Sequence, residues 1–146
     1  MMIEEISKKS GEYFESGYYC AESVLLAITE SQKIKNDLIP KIASGLSGGI
    51  SRTCGLCGAV LGAIMSINIV YGRTSADESV EINFAKVQKF LKEFESRFAS
   101  INCQDLTGCD LGSDEGQAFF EANQVRKKCR EYTEAATQLA LTIIKE

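Results

Sequence analysis

The chain has 146 residues, of which 45% are apolar and 25% charged, and we expect a single globular domain covering residues 1–146. It contains no histidine, which excludes Ser-His-Asp and Cys-His catalysis, histidine-containing zinc sites and haem ligation by imidazole. Sixteen basic and 20 acidic residues give a net charge of -4, whereas nucleic-acid-binding proteins normally carry a basic excess. Six cysteines are therefore the most conspicuous candidates for chemistry.

Helical periodicity predicts α-helices along most of the N-terminal half. The predicted helices span residues 3–15, about 20–31, and from Asn36 or Asp37 to the glycine-rich residues 44–51. Residues 53–72 are uncharged and could by length cross a membrane, but their glycines and polar side chains favour a buried central helix. Gly72 is expected to end that helix, and we expect no membrane insertion.

The C-terminal half also shows helical periodicity. Ser75-Ala76-Asp77-Glu78 predicts a capping box that opens the longest helix, whose apolar residues follow a heptad spacing up to Ile101. A short helical turn and a loop are expected over residues 102–116, and a last helix over about 118–145. Because no segment alternates with period two, the prediction is an all-α single-domain bundle of about five to seven helices. One apolar stripe could instead form the seam of a homodimer.

Cys54-Gly55-Leu56-Cys57 forms a CxxC motif at a predicted loop-to-helix junction. Two thiols at this spacing can close a disulfide or bind one metal ion, and free N–H groups at a helix start stabilise a thiolate. Cys54 and Cys57 are thus candidate redox thiols, with Cys54 expected to be the more exposed because it precedes the helix. No histidine follows the motif, which excludes haem attachment, and residues 44–51 lack the Gly-Lys-Ser/Thr of a nucleotide-binding loop.

Four cysteines are expected to converge on one site. Cys20 and Cys129 fall on the apolar faces of their predicted helices, and Cys57 opens the most apolar helix. Cys103 follows the long helix and could close the group from one end. Side chains of neighbouring helices in a bundle meet where they share a level, because the helix axes lie about 8–10 Å apart.

The glycines after Cys57 give the uncharged helix a face of small residues. Gly58 and Gly62 would permit close packing between helices. They could equally leave space for a cluster or ligand beside Cys57, and the spacing alone does not decide between the two.

Several blocks of the sequence resemble a known family. They are Cys20-Ala21-Glu22-Ser23-Val24-Leu25, Ser44-Gly45-Leu46-Ser47-Gly48-Gly49, Cys57-Gly58-Ala59-Val60-Leu61-Gly62, Cys103 with Leu106-Thr107-Gly108, and Cys129. In this order they are similar to the redox-active proteins named for the pattern C…CGAxxG…C…C. The resemblance implies that the family's four cysteines are Cys20, Cys57, Cys103 and Cys129, and that Cys54 and Cys109 are additions.

A more distant similarity is to split-Soret cytochromes c, which pair haems with a cysteine-bound iron centre. This chain lacks their haem-binding motif. The resemblance therefore implies no haem, and at most the four-cysteine iron site.

Three functional interpretations remain open. In the first, the four cysteines serve electron transfer or thiol redox chemistry, either as thiols or as ligands of an iron–sulfur cluster or zinc. In the second, Cys54 and Cys57 act as a dithiol/disulfide oxidoreductase. In the third, the protein is a non-catalytic helical interaction module with buried cysteines. We expect a redox partner protein rather than nucleic acid, and a cytoplasmic location because the N-terminus lacks the apolar segment of a signal peptide.

Overall fold

A computed structural model describes residues 2–146 and confirms the all-α fold class. Within these residues there are eight α-helical segments and no β-strand. They are α1 (Ile3–Glu15), α2 (Cys20–Ser31), α3 (Ser47–Arg52), α4 (Gly58–Tyr71), α5 (Glu81–Phe98), α6 (Cys103–Thr107), α7 (Asp114–Ala122) and α8 (Arg126–Lys145), with a 3-10 helix at Lys41–Leu46. The count exceeds the predicted five to seven because α3 and α6 are short segments and the last predicted helix is divided.

The helix α8 lies at the centre of the bundle. It packs against α1, α2, α4 and α5, while α4 also packs against α2 and α5. The core between these helices includes Phe90 and Phe94 of α5 and Leu141 of α8, all completely buried. Burial of one such side chain stabilises the fold by about 1.5–3 kcal/mol. These five helices therefore form the frame on which the shorter segments are held.

The uncharged segment forms α4, a helix of 14 residues. None of the helices within residues 2–146 has the length and apolar character needed to cross a membrane. Gly72 follows the helix as predicted, but with an extended backbone (φ −68°, ψ 162°) rather than the left-handed one of a glycine cap.

Two predicted helix starts are wrong, because short polar side chains close turns there instead. The Asn36 side chain accepts a hydrogen bond from the N–H of Leu38 (2.8 Å), and turns lead from there into the 3-10 helix. Ser75 Oγ likewise accepts from the N–H of Asp77 (3.2 Å), and α5 begins only at Glu81. Such local side-chain bonds compete with helix formation.

The last predicted helix is interrupted between α7 and α8. Ser113 caps α7, its side chain accepting from the N–H of Gly116 (2.9 Å). Gln124 then has a left-handed backbone (φ 51°), which ends the helical path before α8 starts at Arg126. With 20 residues, α8 rather than α5 is the longest helix.

The glycine-rich segment forms an unusual turn at α3. Gly48, Gly49, Ile50 and Ser51 all have left-handed backbone angles, with φ between 56° and 72°. Only glycine adopts this conformation without a steric cost. Gly49 is also constrained by space, because a Cβ atom there would lie 2.7 Å from Cys103 Cβ. The turn therefore brings backbone directly against one of the candidate cysteines.

Candidate functional site

Four cysteines line a single cavity of about 480 Å³: Cys20, Cys57, Cys103 and Cys129. Each lies at the start of a different helix. Cys20 and Cys103 are the first residues of α2 and α6, Cys57 directly precedes α4, and Cys129 is in the first turn of α8. Helix N-termini carry partial positive charge and free N–H groups, and both stabilise negatively charged sulfur.

A short antiparallel bridge holds two of these cysteines beside each other. The N–H of Cys57 donates to the carbonyl of Ile101 (2.8 Å), and the N–H of Cys103 donates to the carbonyl of Gly55 (3.0 Å). Leu56 and Asn102 lie between these bonds as a bridging pair. The two segments are far apart in sequence, and helical periodicity contains no signal for such a bridge.

Two glycines let the surrounding backbone approach the sulfur atoms. A Cβ atom at Gly49 would lie 3.1 Å from Cys103 Sγ, and one at Gly58 would overlap Cys20 Sγ. Gly58 also lines the cavity, whereas Gly62 does not. A Cβ atom at Gly62 would lie 2.6 Å from the carbonyl oxygen of Ala21. Gly62 therefore serves the close packing of α4 on α2.

Burial dominates the acid–base properties of the cavity thiols. It raises the pKa of Cys57 to about 12, with the negative charges that Cys20 and Cys103 would carry adding to the effect. The pKa of Cys103 is raised to about 11, first by burial and then by Cys20. Burial raises the pKa of Cys129 above its usual range too, and Cys20 contributes next. Because the pKa values of all three are raised above that of an ordinary cysteine, these thiols stay protonated at neutral pH.

Hydrogen bonds from polar groups around Cys20 and Cys57 lower the pKa of these two thiols. Burial raises the pKa of Cys20, but the backbone of Gly48 and Ala21 and the side chain of Ser47 lower it through hydrogen bonds. The backbone of Val60 and Ala59 acts in the same way on Cys57. These hydrogen bonds offset part of the effect of burial, although the pKa of both thiols remains raised.

The Ser47 hydroxyl points to the same conclusion. It is buried and is the one buried side-chain oxygen or nitrogen within residues 2–146 that has no hydrogen-bond partner. Leaving such a group unsatisfied costs about 1–3 kcal/mol. The group stabilises the thiolate form of Cys20. It therefore gains its partner when Cys20 is deprotonated.

Polar and charged side chains accompany the thiols in the cavity wall. They include Arg52 and Arg126, with Gln117 and Glu121. Arg126 is fixed in place, because its Nη2 donates to the carbonyl of Phe14 (2.7 Å) and its guanidinium lies 4.4 Å from the centre of the Phe14 ring. The cavity wall thus carries two positively charged side chains and one negatively charged side chain.

The chemistry of the donor set suits a soft metal centre. Thiolates bind zinc and iron–sulfur clusters. Among the described residues, however, no three Cys, Asp or Glu side chains come close enough to hold one metal ion together. A single zinc ion needs all its sulfur ligands about 2.3 Å from one point. An iron–sulfur cluster held in this cavity would take one thiolate from each of Cys20, Cys57, Cys103 and Cys129.

The two cysteines of the CxxC motif face different surroundings. Cys57 is buried against the cavity, whereas Cys54 is partly exposed, as predicted, and does not line the cavity. The Asp110 carboxylate is the largest of the effects that raise the pKa of Cys54, and Cys109 adds the smallest; Cys109 and Cys54 in turn raise the pKa of Cys103. Cys109 is itself buried outside the cavity lining. The structure therefore places Cys54 beside the loop after α6.

Comparison with known proteins assigns the chain to a family. Residues 18–143 match the family described as "Putative redox-active protein (C_GCAxxG_C_C)". An "Uncharacterized protein" of Archaeoglobus fulgidus is 28% identical over 153 aligned positions, covering 98% of this chain and 95% of the relative. No solved structure matches the chain at a significant level. The match spans all four cavity cysteines, and the chain belongs to the C_GCAxxG_C_C family.

Proposed function

We propose that Cys20, Cys57, Cys103 and Cys129 bind an iron–sulfur cluster and that the protein uses it to exchange electrons with a redox partner protein. The observation that carries this proposal is the arrangement of four thiols around one cavity at four helix starts. When bound, such a cluster supplies one-electron redox chemistry. The residues of this chain supply the ligands, the hydrogen bonds to sulfur and the shielding from water.

The pKa values support ligation over catalysis by free thiols. A thiol reacts as a nucleophile only in its thiolate form. Burial raises the pKa of Cys57 to about 12 and that of Cys103 to about 11, so little thiolate exists at neutral pH in the metal-free protein. Metal binding deprotonates a coordinating thiol outright. The same burial that suppresses a free nucleophile is thus compatible with a metal-bound sulfur.

The cavity supports a binding role over a purely structural one. Protein interiors are close-packed, and cysteines that merely fill a core leave little space beside them. Here four cysteines line open space of about 480 Å³, next to the unpartnered hydroxyl of Ser47. A helical interaction module with buried cysteines has no need of either feature.

Anaerobic purification or reconstitution with iron and sulfide tests the proposal. The wild-type protein should be brown and contain several iron and sulfide atoms per chain. Single variants C20S, C57S, C103S and C129S should each lose most of the iron, because serine is a much poorer ligand for iron–sulfur clusters. Circular dichroism should show that each variant keeps its helices.

The matched controls are C54S and C109S, which remove thiols outside the cavity lining. Both should retain iron and sulfide at the wild-type level. A folded wild-type protein that binds no iron, or that binds one zinc ion per chain in preference to iron and sulfide, contradicts the proposal.

A further inference from the structure

Arg126 is a half-buried cation in the cavity wall that has no anionic partner within residues 2–146. Its Nη2 donates to the carbonyl of Phe14 (2.7 Å), and no carboxylate forms an ion pair with it. Arg130, one turn further along α8, is in contrast ion-paired with Glu134 (2.8 Å). Arginines that are withdrawn from water are normally paired with an anion. The cavity wall therefore contains a positive charge that these residues leave unpaired.

The guanidinium of Arg126 is held in one position. It lies 4.4 Å from the centre of the Phe14 ring, in addition to its bond to the Phe14 carbonyl, and Phe14 is only 3% exposed. A side chain that is already ordered loses less conformational entropy when a ligand binds to it. The N–H groups of a guanidinium form a planar fork that matches the two oxygen atoms of a carboxylate. Arg126 is thus prepared to bind a carboxylate group.

Arg126 lies where the cavity meets the protein surface. Phe120, Glu121 and Arg126 line both the cavity and a second hollow on the adjoining surface, so a ligand can reach the guanidinium from solvent. Leu106 and Leu111 also line the cavity and offer apolar surface to the body of a ligand. The cavity volume of about 480 Å³ is within the range of about 300–1,000 Å³ that is usual for small-molecule pockets.

The charge of the cavity wall favours a ligand with a single negative charge. Arg52 and Arg126 are positively charged and Glu121 is negatively charged, which leaves one positive charge in excess. In the metal-free protein the four thiols add no charge, because burial raises their pKa values. One carboxylate neutralises the excess, whereas a phosphate dianion would leave negative charge uncompensated.

We infer that the cavity is also a binding pocket for a small organic monocarboxylate with an apolar body. The carboxylate pairs with the guanidinium of Arg126, and the apolar body enters the cavity. This inference rests on the arginine and the shape of the cavity, and not on the cysteines. It is therefore independent of the proposed cluster.

Isothermal titration calorimetry of the reduced, metal-free, full-length protein at pH 7 tests the inference with four probes. Benzoate should bind saturably, with one molecule per chain. Benzamide has the same shape without the charge and should bind more weakly by about tenfold or more. Acetate, which lacks the apolar body, and inorganic phosphate should both bind more weakly than benzoate. Benzamide or acetate that binds as tightly as benzoate, or phosphate that binds more tightly, overturns the inference.

The variant R126Q should weaken benzoate binding by about tenfold or more. R126K keeps the charge and should also bind more weakly than wild type, because lysine lacks the planar fork. The matched control is K127Q, which removes the same charge from an exposed residue that does not line the cavity, and it should bind benzoate as wild type does. Circular dichroism should show that all three variants are folded.

Three results of these titrations overturn the inference. They are the absence of saturable benzoate binding by wild type, wild-type affinity in folded R126Q, and an equal loss of affinity in R126Q and K127Q. The titrations use no iron, so a failure of the cluster proposal leaves this test intact.

Discussion

The cavity thiols and the loop thiols illustrate two ways of placing cysteine in one small bundle. The cavity group is assembled at the starts of four helices, and Cys57 and Cys103 within it are buried. The loop thiols, Cys54 and Cys109, lie on two irregular segments, and Cys54 is partly exposed. Helix starts provide fixed positions and N–H groups for a bound centre, whereas loops provide access for a substrate.

The difference suggests a division of labour. A metal centre is stabilised by rigid ligands and exclusion of water. Thiol exchange requires that a sulfur be reached by its partner. Cys54 and Cys57 share one motif, yet only Cys57 is buried and lines the cavity.

The largest expected effect is a loss of stability at alkaline pH, caused by the buried thiols of the cavity. In the metal-free protein the pKa of Cys57 is about 12, against 9.0 for an ordinary cysteine. Below pH 9 the Cys57 thiol is protonated in both the folded and the unfolded chain, so its contribution to stability is fully present. As the pH rises towards 12 only the unfolded chain releases it, and the free energy of unfolding falls by on the order of 4 kcal/mol. Urea titrations across this pH range should show the decrease.

The control for this pH effect is C57S, which lacks the titrating group and should lose stability less steeply above pH 9. C54S should follow the wild-type curve, since its thiol lies outside the cavity. Identical curves for wild type and C57S would contradict the assignment of the buried thiol.

The next prediction distinguishes the roles of Gly58 and Gly62 in α4. In G62A the new methyl group would meet the backbone of Ala21 at 2.6 Å, so we expect a loss of about 1–3 kcal/mol in the free energy of unfolding from overpacking. In G58A it would meet Cys20 Sγ, so cluster binding should suffer as well. Chemical denaturation and iron content, measured on both variants, check the distinction. Normal iron binding by folded G58A would count against it.

A smaller effect is expected for S47A, which should stabilise the metal-free protein but weaken the binding of iron. Removing the unpartnered hydroxyl should stabilise the metal-free protein by about 1 kcal/mol, because no buried polar group is then left unsatisfied. The same change removes a group that stabilises the Cys20 thiolate, so iron should be lost to a chelator faster than from wild type. Destabilisation of the metal-free protein by S47A would show that the hydroxyl has a partner after all.

The smallest expected effect concerns the reactivity of the Cys54 thiol. Asp110 raises the pKa of Cys54 through a hydrogen bond and through its charge. The variant D110N should therefore lower this pKa, and the pH at which Cys54 reacts half-maximally with iodoacetamide should fall. Peptide mass spectrometry over a pH series measures the shift, with Cys57 as the internal reference. An unchanged or higher midpoint would place Asp110 away from the thiol.

Much of the fold follows from periodicity, and much of the site does not. Helices α1 and α2 have the predicted bounds because their apolar residues repeat at helical spacing. Cys20 and Cys129 are expected to lie close together because both fall on the apolar faces of their predicted helices. In the structure both residues lie in the first turn of their helices, at the cavity wall. The helix starts predicted at Asn36 and Ser75 are wrong because side-chain hydrogen bonds close turns there, and the break at Gln124 comes from its left-handed backbone.

The site is shaped by long-range contacts and by backbone in the left-handed conformation. Helical periodicity in a single sequence predicts neither. The bridge between Leu56 and Asn102 joins segments separated by the whole of α4 and α5. The left-handed α3 is signalled only weakly, by Gly48 and Gly49. The contact between Arg52 and Gly112, where the segment before Cys54 meets the loop after α6, likewise joins residues far apart in sequence.

The division between the two thiol groups is tested most directly by alkylation of the cluster-loaded and metal-free proteins, mapped by mass spectrometry. We predict that Cys20, Cys57, Cys103 and Cys129 are protected together by the bound cluster and become reactive together on its removal in mild denaturant. Cys54 should be alkylated equally in both states. Protection of Cys54, or continued labelling of any of the four cavity cysteines in the loaded protein, would contradict the account.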